Sequence, residues 1–226
     1  FSGFEDAHDT YNAISKASDG KIYYVLSSTR HDVGGQLYCY DPQADKVEFL
    51  ADLSEALGEK QQKYIAQGKS HVEFYEKDGK LYFATHLGYY QLYPGGHFCY
   101  YDLNTKELKS LAIAPEGEGI ITVVMDKERD HLYGLTWPKG LLIDYDIKAN
   151  TLRNVGAVSK AGETQLGTDN FRVICRSMFI DPRDGNVYYS TGDGDIFYYN
   201  PSLKAPEKLD GVDLRLDYFG TYDPKD

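Results

Sequence analysis

Asp78-Gly79-Lys80-Leu81-Tyr82 decides the reading of this chain, because the same short pattern returns three more times. Asp19-Gly20-Lys21-Ile22-Tyr23 precedes it. Asp130-His131-Leu132-Tyr133 and Asp184-Gly185-Asn186-Val187-Tyr188 follow, and the four tyrosines stand 59, 51 and 55 residues apart. Recurrence at such a period marks repeated supersecondary units. Downstream of each turn lies a second recurring element: Leu37-Tyr38-Cys39-Tyr40-Asp41, Phe98-Cys99-Tyr100-Tyr101-Asp102, Leu142-Ile143-Asp144-Tyr145-Asp146 and Ile196-Phe197-Tyr198-Tyr199-Asn200. Each unit therefore reads as an inner strand, an Asp-Gly type turn, a second strand, a variable loop and a third strand closing on Tyr-Asp. A turn and a short outer strand, such as 47–50 or 108–111, complete it. Glycine supplies the positive φ that the tight hairpin needs, and the residues after it restart the period-two alternation.

Four antiparallel strands per unit of about 50 residues, repeated without intervening helices, predict an all-β chain of the β-propeller class with four recognisable four-stranded blades. The composition agrees: 21 Tyr, 10 Phe and 22 Gly against 8 Pro and 2 Met in 226 residues suit short aromatic strands joined by tight turns. The expected organisation is a single propeller domain or partial propeller over 1–226. A helical insertion at 52–67 opens on the capping pattern Asp52-Leu53-Ser54-Glu55. The segment 212–218 looks like the opening of a fifth unit. The chain is then either a compact four-bladed ring or part of a larger, seven- or eight-bladed one, and the long units with unpaired terminal strands favour the larger ring.

Lys and Arg number 24 against 35 Asp and Glu, a formal charge of −11, which argues against indiscriminate binding of nucleic acid or of anionic membrane. No apolar run is long enough for a membrane helix, so no membrane insertion is expected. Cys39, Cys99 and Cys175 form no paired motif, and Cys39 and Cys99, which fall inside similar strand patterns, read as small buried hydrophobes. The chain has no phosphate-binding glycine loop, dinucleotide fingerprint, zinc-protease motif, EF-hand or nucleophile elbow. Asp193-Gly194-Asp195 and Asp181-Pro182-Arg183-Asp184-Gly185 read as hairpin turns.

Candidate chemistry comes from counting along the repeat. Eleven residues before each tyrosine stand Asn12, His71, Thr122 and Ser177; four after stand Ser27, His86, Trp137 and Gly192. The hairpin folds these two sets toward one end of each blade. In the second unit, 70–75 and 81–86 are expected to be partner strands, which puts His71 and His86 about 5 to 8 Å apart, with His97 approaching from the following loop. Such imidazoles can exchange protons near neutral pH, or hold a divalent metal once a third ligand joins. Alternatively they hydrogen-bond backbone at the blade edge. Arg176, with Arg172 four residues earlier, can grip a carboxylate or make a salt bridge between blades. Arg153 lies on an outer-strand pattern. Tyr89 and Tyr90, in a glycine-bounded aromatic loop, can stack on a sugar face, supply a phenolic acid or base, or simply cover the top of the fold.

Gly68-Lys69-Ser70-His71, the hairpin through Asp78-Gly79-Lys80-Leu81-Tyr82-Phe83, and Ala84-Thr85-His86 resemble the catalytic-blade pattern of propeller polysaccharide lyases, the ulvan lyase group above all. Leu135-Thr136-Trp137-Pro138-Lys139-Gly140 followed by Asp144-Tyr145-Asp146 resembles their next blade, and the similarity runs over about residues 7 to 200. The resemblance implies β-elimination at a uronic acid of an acidic polysaccharide or oligosaccharide. A base removes the C5 proton, positive groups neutralise the carboxylate, and a phenol or imidazole protonates the leaving oxygen. His71 and His86 match the histidine motif. The family's tyrosine falls at Trp137, which cannot transfer that proton, so Tyr90 or Tyr89 would take the role; the associated arginine falls at Arg153. On this reading His71, His86, Arg176 and Tyr90 are catalytic, and Tyr89, His97, Trp137 and Arg153 bind substrate. The resemblance also implies an extracellular or periplasmic home and allows a structural calcium or zinc ion, although the residues themselves specify no cofactor. The net charge opposes long-range approach of an acidic glycan unless a local positive rim dominates. The competing reading is a non-catalytic propeller that binds glycans or proteins through its loops.

Overall fold

A computed structural model describes residues 2–62, 64–88, 94–158, 164, 168–169, 176–191 and 194–213. Within them lie four four-stranded antiparallel sheets, each with its strands in sequence order, so the chain is all-β with propeller-like blades. It divides into two compact units, Phe1–Ile121 and Thr122–Asp226. Arg172, Cys175, Gly192, Asp193 and most of the segment read as a fifth unit lie outside the described residues.

The first unit holds two sheets. One is β1 (Ile14–Lys16), β2 (Ile22–Leu26), β3 (Gln36–Asp41) and β4 (Lys46–Asp52); the other is β5 (Tyr75–Lys77), β6 (Lys80–Ala84), β7 (His97–Asp102) and β8 (Leu108–Ile113). Middle strands are buried and outer strands exposed: Leu37, Phe83 and Phe98 are fully buried, whereas Val47 and Phe49 on β4 face outward. Tyr23 and Tyr101 pack between the two sheets with ring centroids 6.0 Å apart. The Ser15 hydroxyl accepts from the Phe74 amide at 3.0 Å and Glu76 accepts from the Ser18 amide at 2.7 Å, so polar bonds join the same pair.

The recurring motifs have local causes. Asp78 and Gly79 both adopt positive φ, 51° and 71°, as a tight hairpin turn demands. The aspartate of each Tyr-Asp ending caps the next turn: Asp41 Oδ1 accepts from the amides of Gln43 and Ala44, and Asp102 Oδ1 from those of Asn104 and Thr105. Asp146 and Asn200 do the same in the second unit.

That unit contains the sheet of β9 (Gly119–Asp126), which starts at the end of the first unit, β10 (His131–Trp137), β11 (Leu141–Asp146) and β12 (Thr151–Ala157). Its other sheet is β13 (Met178–Ile180), β14 (Val187–Ser190), β15 (Asp195–Tyr199) and β16 (Glu207–Asp213). Between β4 and β5 the chain makes α1 (Leu53–Ala56), with Asp52 Oδ1 accepting from the Glu55 amide at 2.9 Å, and a single 3-10 turn at Lys60–Gln62.

One strand differs from its sequence reading. The 70–75 stretch is not a continuous partner of 81–86, for β5 is only Tyr75–Lys77. The Ser70 hydroxyl donates to the Ala84 carbonyl at 2.8 Å, a side-chain bond where a ladder bond was expected, and pairing resumes only as an isolated bridge between Lys69 and His86. Cys39 and Cys99 are buried free thiols, and burial pushes the Cys99 thiol well up.

Candidate functional site

That isolated bridge positions the histidines. Backbone bonds of 2.9 and 2.8 Å tie Lys69 to His86, and His71, two residues on from Lys69, turns its ring edge-on to His86 with centroids 5.2 Å apart. Tyr11 packs against His71 at 4.2 Å, and Lys69 Nζ stands 5.7 Å from the Tyr11 ring centroid. His86 Nδ1 lies 2.8 Å from the Leu87 carbonyl oxygen. A carbonyl can only accept, so Nδ1 carries a proton and the lone pair of the neutral ring sits on Nε2. Gly119 makes room for this ring: a Cβ there would fall 2.5 Å from His86 Nε2. Tyr11 is the phenol of this cluster, and the repeat count passed it by because it falls on Asn12, one residue later.

His97 turns elsewhere. Its Nε2 lies 2.6 Å from Glu59 Oε1 and its Nδ1 2.7 Å from Ser110 Oγ. Glu59 Oε2 accepts from Gln67 Nε2 at 2.8 Å, which also donates to the Gly95 carbonyl, while Gln67 Oε1 accepts from the Thr85 hydroxyl at 2.7 Å. The Thr85 hydroxyl in turn accepts from the His97 amide. Glu59 forms part of a cleft of about 210 Å³ between the 32–34 loop and the 52–66 segment, alongside Asp32, Asp52, Lys60 and Tyr64. Arg30 holds the Asp32 carboxyl below its usual range, and Glu55 raises the Lys60 ammonium above its own. Repeat counting missed Glu59 and Gln67, since an insertion has no counterpart to align with. The available signal was the insertion itself, the one stretch of the first unit that the repeat does not require.

The remaining predicted residues lie in the second unit, except Tyr89 and Tyr90, which fall outside the described residues. Trp137 ends β10 with its side chain buried. Arg176 is half-buried just before β13. Arg153 on β12 donates to the Tyr199 hydroxyl at 3.0 Å and to the Lys204 carbonyl at 2.9 Å, bonds that join the unit's two sheets. Tyr199 donates to Asp144 Oδ2 at 3.1 Å, and Asp144 Oδ1 lies 2.6 Å from His131 Nδ1. This bond to Asp144 raises the His131 pKa above 6.5, against the opposing effect of burial. A raised folded-state pKa means that the folded chain holds the proton more tightly than the unfolded one. The resulting stabilisation is complete below the unfolded value and is lost as pH rises through the folded value. Melting temperatures taken between about pH 5 and pH 9 should therefore fall on the alkaline side, and His131→Gln should flatten that fall. An equal fall in the variant would assign it to other groups.

Among the described residues no group of three or more His, Cys, Asp or Glu is placed to hold a metal ion. No helix among them is long and apolar enough to cross a membrane.

Sheet topology and repeat together define an all-β protein of four-stranded, propeller-like blades. No family model matches the chain, and no curated protein does. Solved structures do. An auxiliary nutrient binding protein from Bacteroides thetaiotaomicron superposes with TM-score 0.56 at 11% identity, over 94% of this chain and 44% of its own. The extracellular domain of a hybrid two component system from B. thetaiotaomicron gives 0.55 at 14%, over 95% and 22%. TolB from Acinetobacter baumannii gives 0.55 at 11%, over 92% and 45%. At such identities the likeness is one of fold, and the chain spans less than half the length of each of these three.

Proposed function

We propose that this chain is part of a binding propeller that takes a small polar ligand, a sugar or short glycan, in the extracellular or periplasmic space. The observation that carries the reading is the cleft beside the insertion. At about 210 Å³ it is below the size of a typical drug-sized pocket and suits one sugar ring. Carboxylates accept from sugar hydroxyls and Tyr64 contributes an aromatic ring to the cleft lining, the pairing of polar and aromatic groups that sugar sites use. Asp32 and Asp52 beside the one lysine, with the buried Glu59 carboxylate behind them, favour a neutral or amino sugar over a uronate. The names of two structural neighbours, a nutrient binding protein and an extracellular domain, support the same reading, and their greater length supports a larger ring.

The edge formed by Tyr11, Lys69, His71 and His86 favours the lyase as a second reading. It gathers imidazole bases, a phenol that can protonate a leaving oxygen, and a cation near a uronate carboxylate.

One set of titrations separates the two. Chemical shifts of the purified chain, followed against neutral, amino and uronic sugars, should move at the amides around Asp52 and Tyr64 with the first two classes. Tyr64→Ala should weaken binding about 10-fold. Unmoved amides at millimolar sugar would reject the binding module. The same samples, incubated with ulvan, pectin and glycosaminoglycans, report lyase activity as unsaturated uronate absorbing near 235 nm. The lyase reading fails if none forms, or if His71→Ala and His86→Ala leave the signal unchanged.

A further inference from the structure

Glu59, His97 and Ser110 come from three separate segments, yet they align through two hydrogen bonds. Ser110 Oγ on β8 lies 2.7 Å from His97 Nδ1 on β7, and His97 Nε2 lies 2.6 Å from Glu59 Oε1 in the insertion. Glu59 and His97 are 5% and 2% exposed, while Ser110 is open to solvent. We propose that Ser110, His97 and Glu59 act as nucleophile, base and orienting acid in the hydrolysis of short-chain esters, such as the O-acetyl group of a sugar.

The repeat itself argues that the fold does not require this arrangement. The outer strand pairs of the first three sheets each skip one residue at the same place, Leu111 after Ser110 in β7–β8, and the fourth shifts register there by a larger step. The register aligns His97 and Ser110 with Gln36 and Phe49 in the first sheet, with Leu141 and Asn154 in the third, and with Asp195 and Lys208 in the fourth. Four sheets accept four unrelated pairs at these positions, one of them an ion pair. Only the second combines a hydroxyl and an imidazole, and it is the sheet that the insertion supplies with a buried carboxylate. Bulges also re-aim side chains near reactive sites.

The chemistry follows from the acceptor at each end. The Glu59 carboxylate accepts the Nε2 proton, which leaves the lone pair of the neutral imidazole on Nδ1, facing the Ser110 hydroxyl. Ser110 Oγ attacks the ester carbonyl carbon as its proton passes to Nδ1, and Glu59 stabilises the imidazolium that forms. Collapse of the tetrahedral adduct breaks the ester C–O bond, and the departing alcohol takes the Nδ1 proton. Water then attacks the acyl-serine, again through Nδ1, releasing the carboxylic acid and restoring the Ser110 hydroxyl. An exposed serine on an outer strand suits a short acyl group whose alcohol portion stays in solvent. The proposal does not require sugar binding in the cleft, which Glu59 only borders.

The test treats the whole chain with a fluorophosphonate probe, maps the modified peptide, and follows release of nitrophenol from p-nitrophenyl acetate. Ser110 should be labelled, and Ser110→Ala, at an exposed site, should keep the fold and lower turnover at least about 100-fold. Glu59→Gln acts through His97, so in folded protein it should slow labelling and displace its pH profile. An unlabelled Ser110, or turnover unchanged in Ser110→Ala, would overturn the proposal.

Discussion

Replacing Gln67 with alanine should lower the unfolding free energy by about 4 kcal/mol, in the range seen when one member of a buried polar network is deleted. Gln67 is fully buried, and its side chain serves three partners at once: Glu59 Oε2, the Gly95 carbonyl and the Thr85 hydroxyl. Its backbone adds two more bonds, accepting from the Gly35 amide and donating to the Ser54 hydroxyl. Alanine keeps the backbone pair and leaves the buried side-chain set without its partner. The loss includes a partner of a carboxylate, the most expensive kind to remove. Lys60→Ala is the contrast. It deletes an exposed ion pair with Glu55 that solvent screens, and it should cost little. Urea melts followed by circular dichroism compare the two, and a Gln67→Ala loss no larger than that of Lys60→Ala would show that the network does not hold the insertion to the sheet.

Legibility in the sequence divides along the same line as the repeat. The turns and the Tyr-Asp endings were readable because each has a local cause, a positive φ or an aspartate capping its own loop, and local causes recur with the motif. The His71 and His86 juxtaposition was readable for the same reason, as both lie at fixed distances from a repeated tyrosine. Its support was not, since Ser70 exchanges a ladder bond for a hydroxyl bond to Ala84, and hydrophobic alternation carries no trace of that. His97 shows the limit more sharply. In sequence it is one more histidine after a glycine-rich loop; its partners Glu59 and Ser110 stand 38 residues before it and 13 after. Neither distance is a period of the repeat. What sequence alone offered was subtraction: the insertion and the departures from the repeat are the residues that the scaffold leaves to other uses.

Gly96→Ala should cost about 3 kcal/mol or more, at the upper end of overpacking penalties, because the neighbours it meets cannot move aside. A Cβ at Gly96 would fall 2.2 Å from the Thr85 carbonyl oxygen and 2.8 Å from the Ile120 amide nitrogen, both backbone atoms. Gly96 is also bonded through its amide to Glu118 and through its carbonyl to Ala114, so the strand cannot shift without breaking these. Its neighbour is His97, so the displacement should reach Ser110 and reduce its labelling as well. Two other glycines separate the causes. Gly58, at φ +78°, has nothing within 4 Å of a Cβ, so alanine there meets only left-handed strain, about 1 kcal/mol. At Gly119 the added carbon meets the His86 ring at 2.4 to 2.8 Å, a side chain rather than backbone, whose displacement breaks its own bond to the Leu87 carbonyl. Gly119→Ala should therefore cost less than Gly96→Ala while disturbing the His71 and His86 pair, and it should leave Ser110 labelling intact. If Gly96→Ala melts with Gly58→Ala, the close approach of these backbones is wrong. If Gly119→Ala abolishes Ser110 labelling, the two clusters are one site.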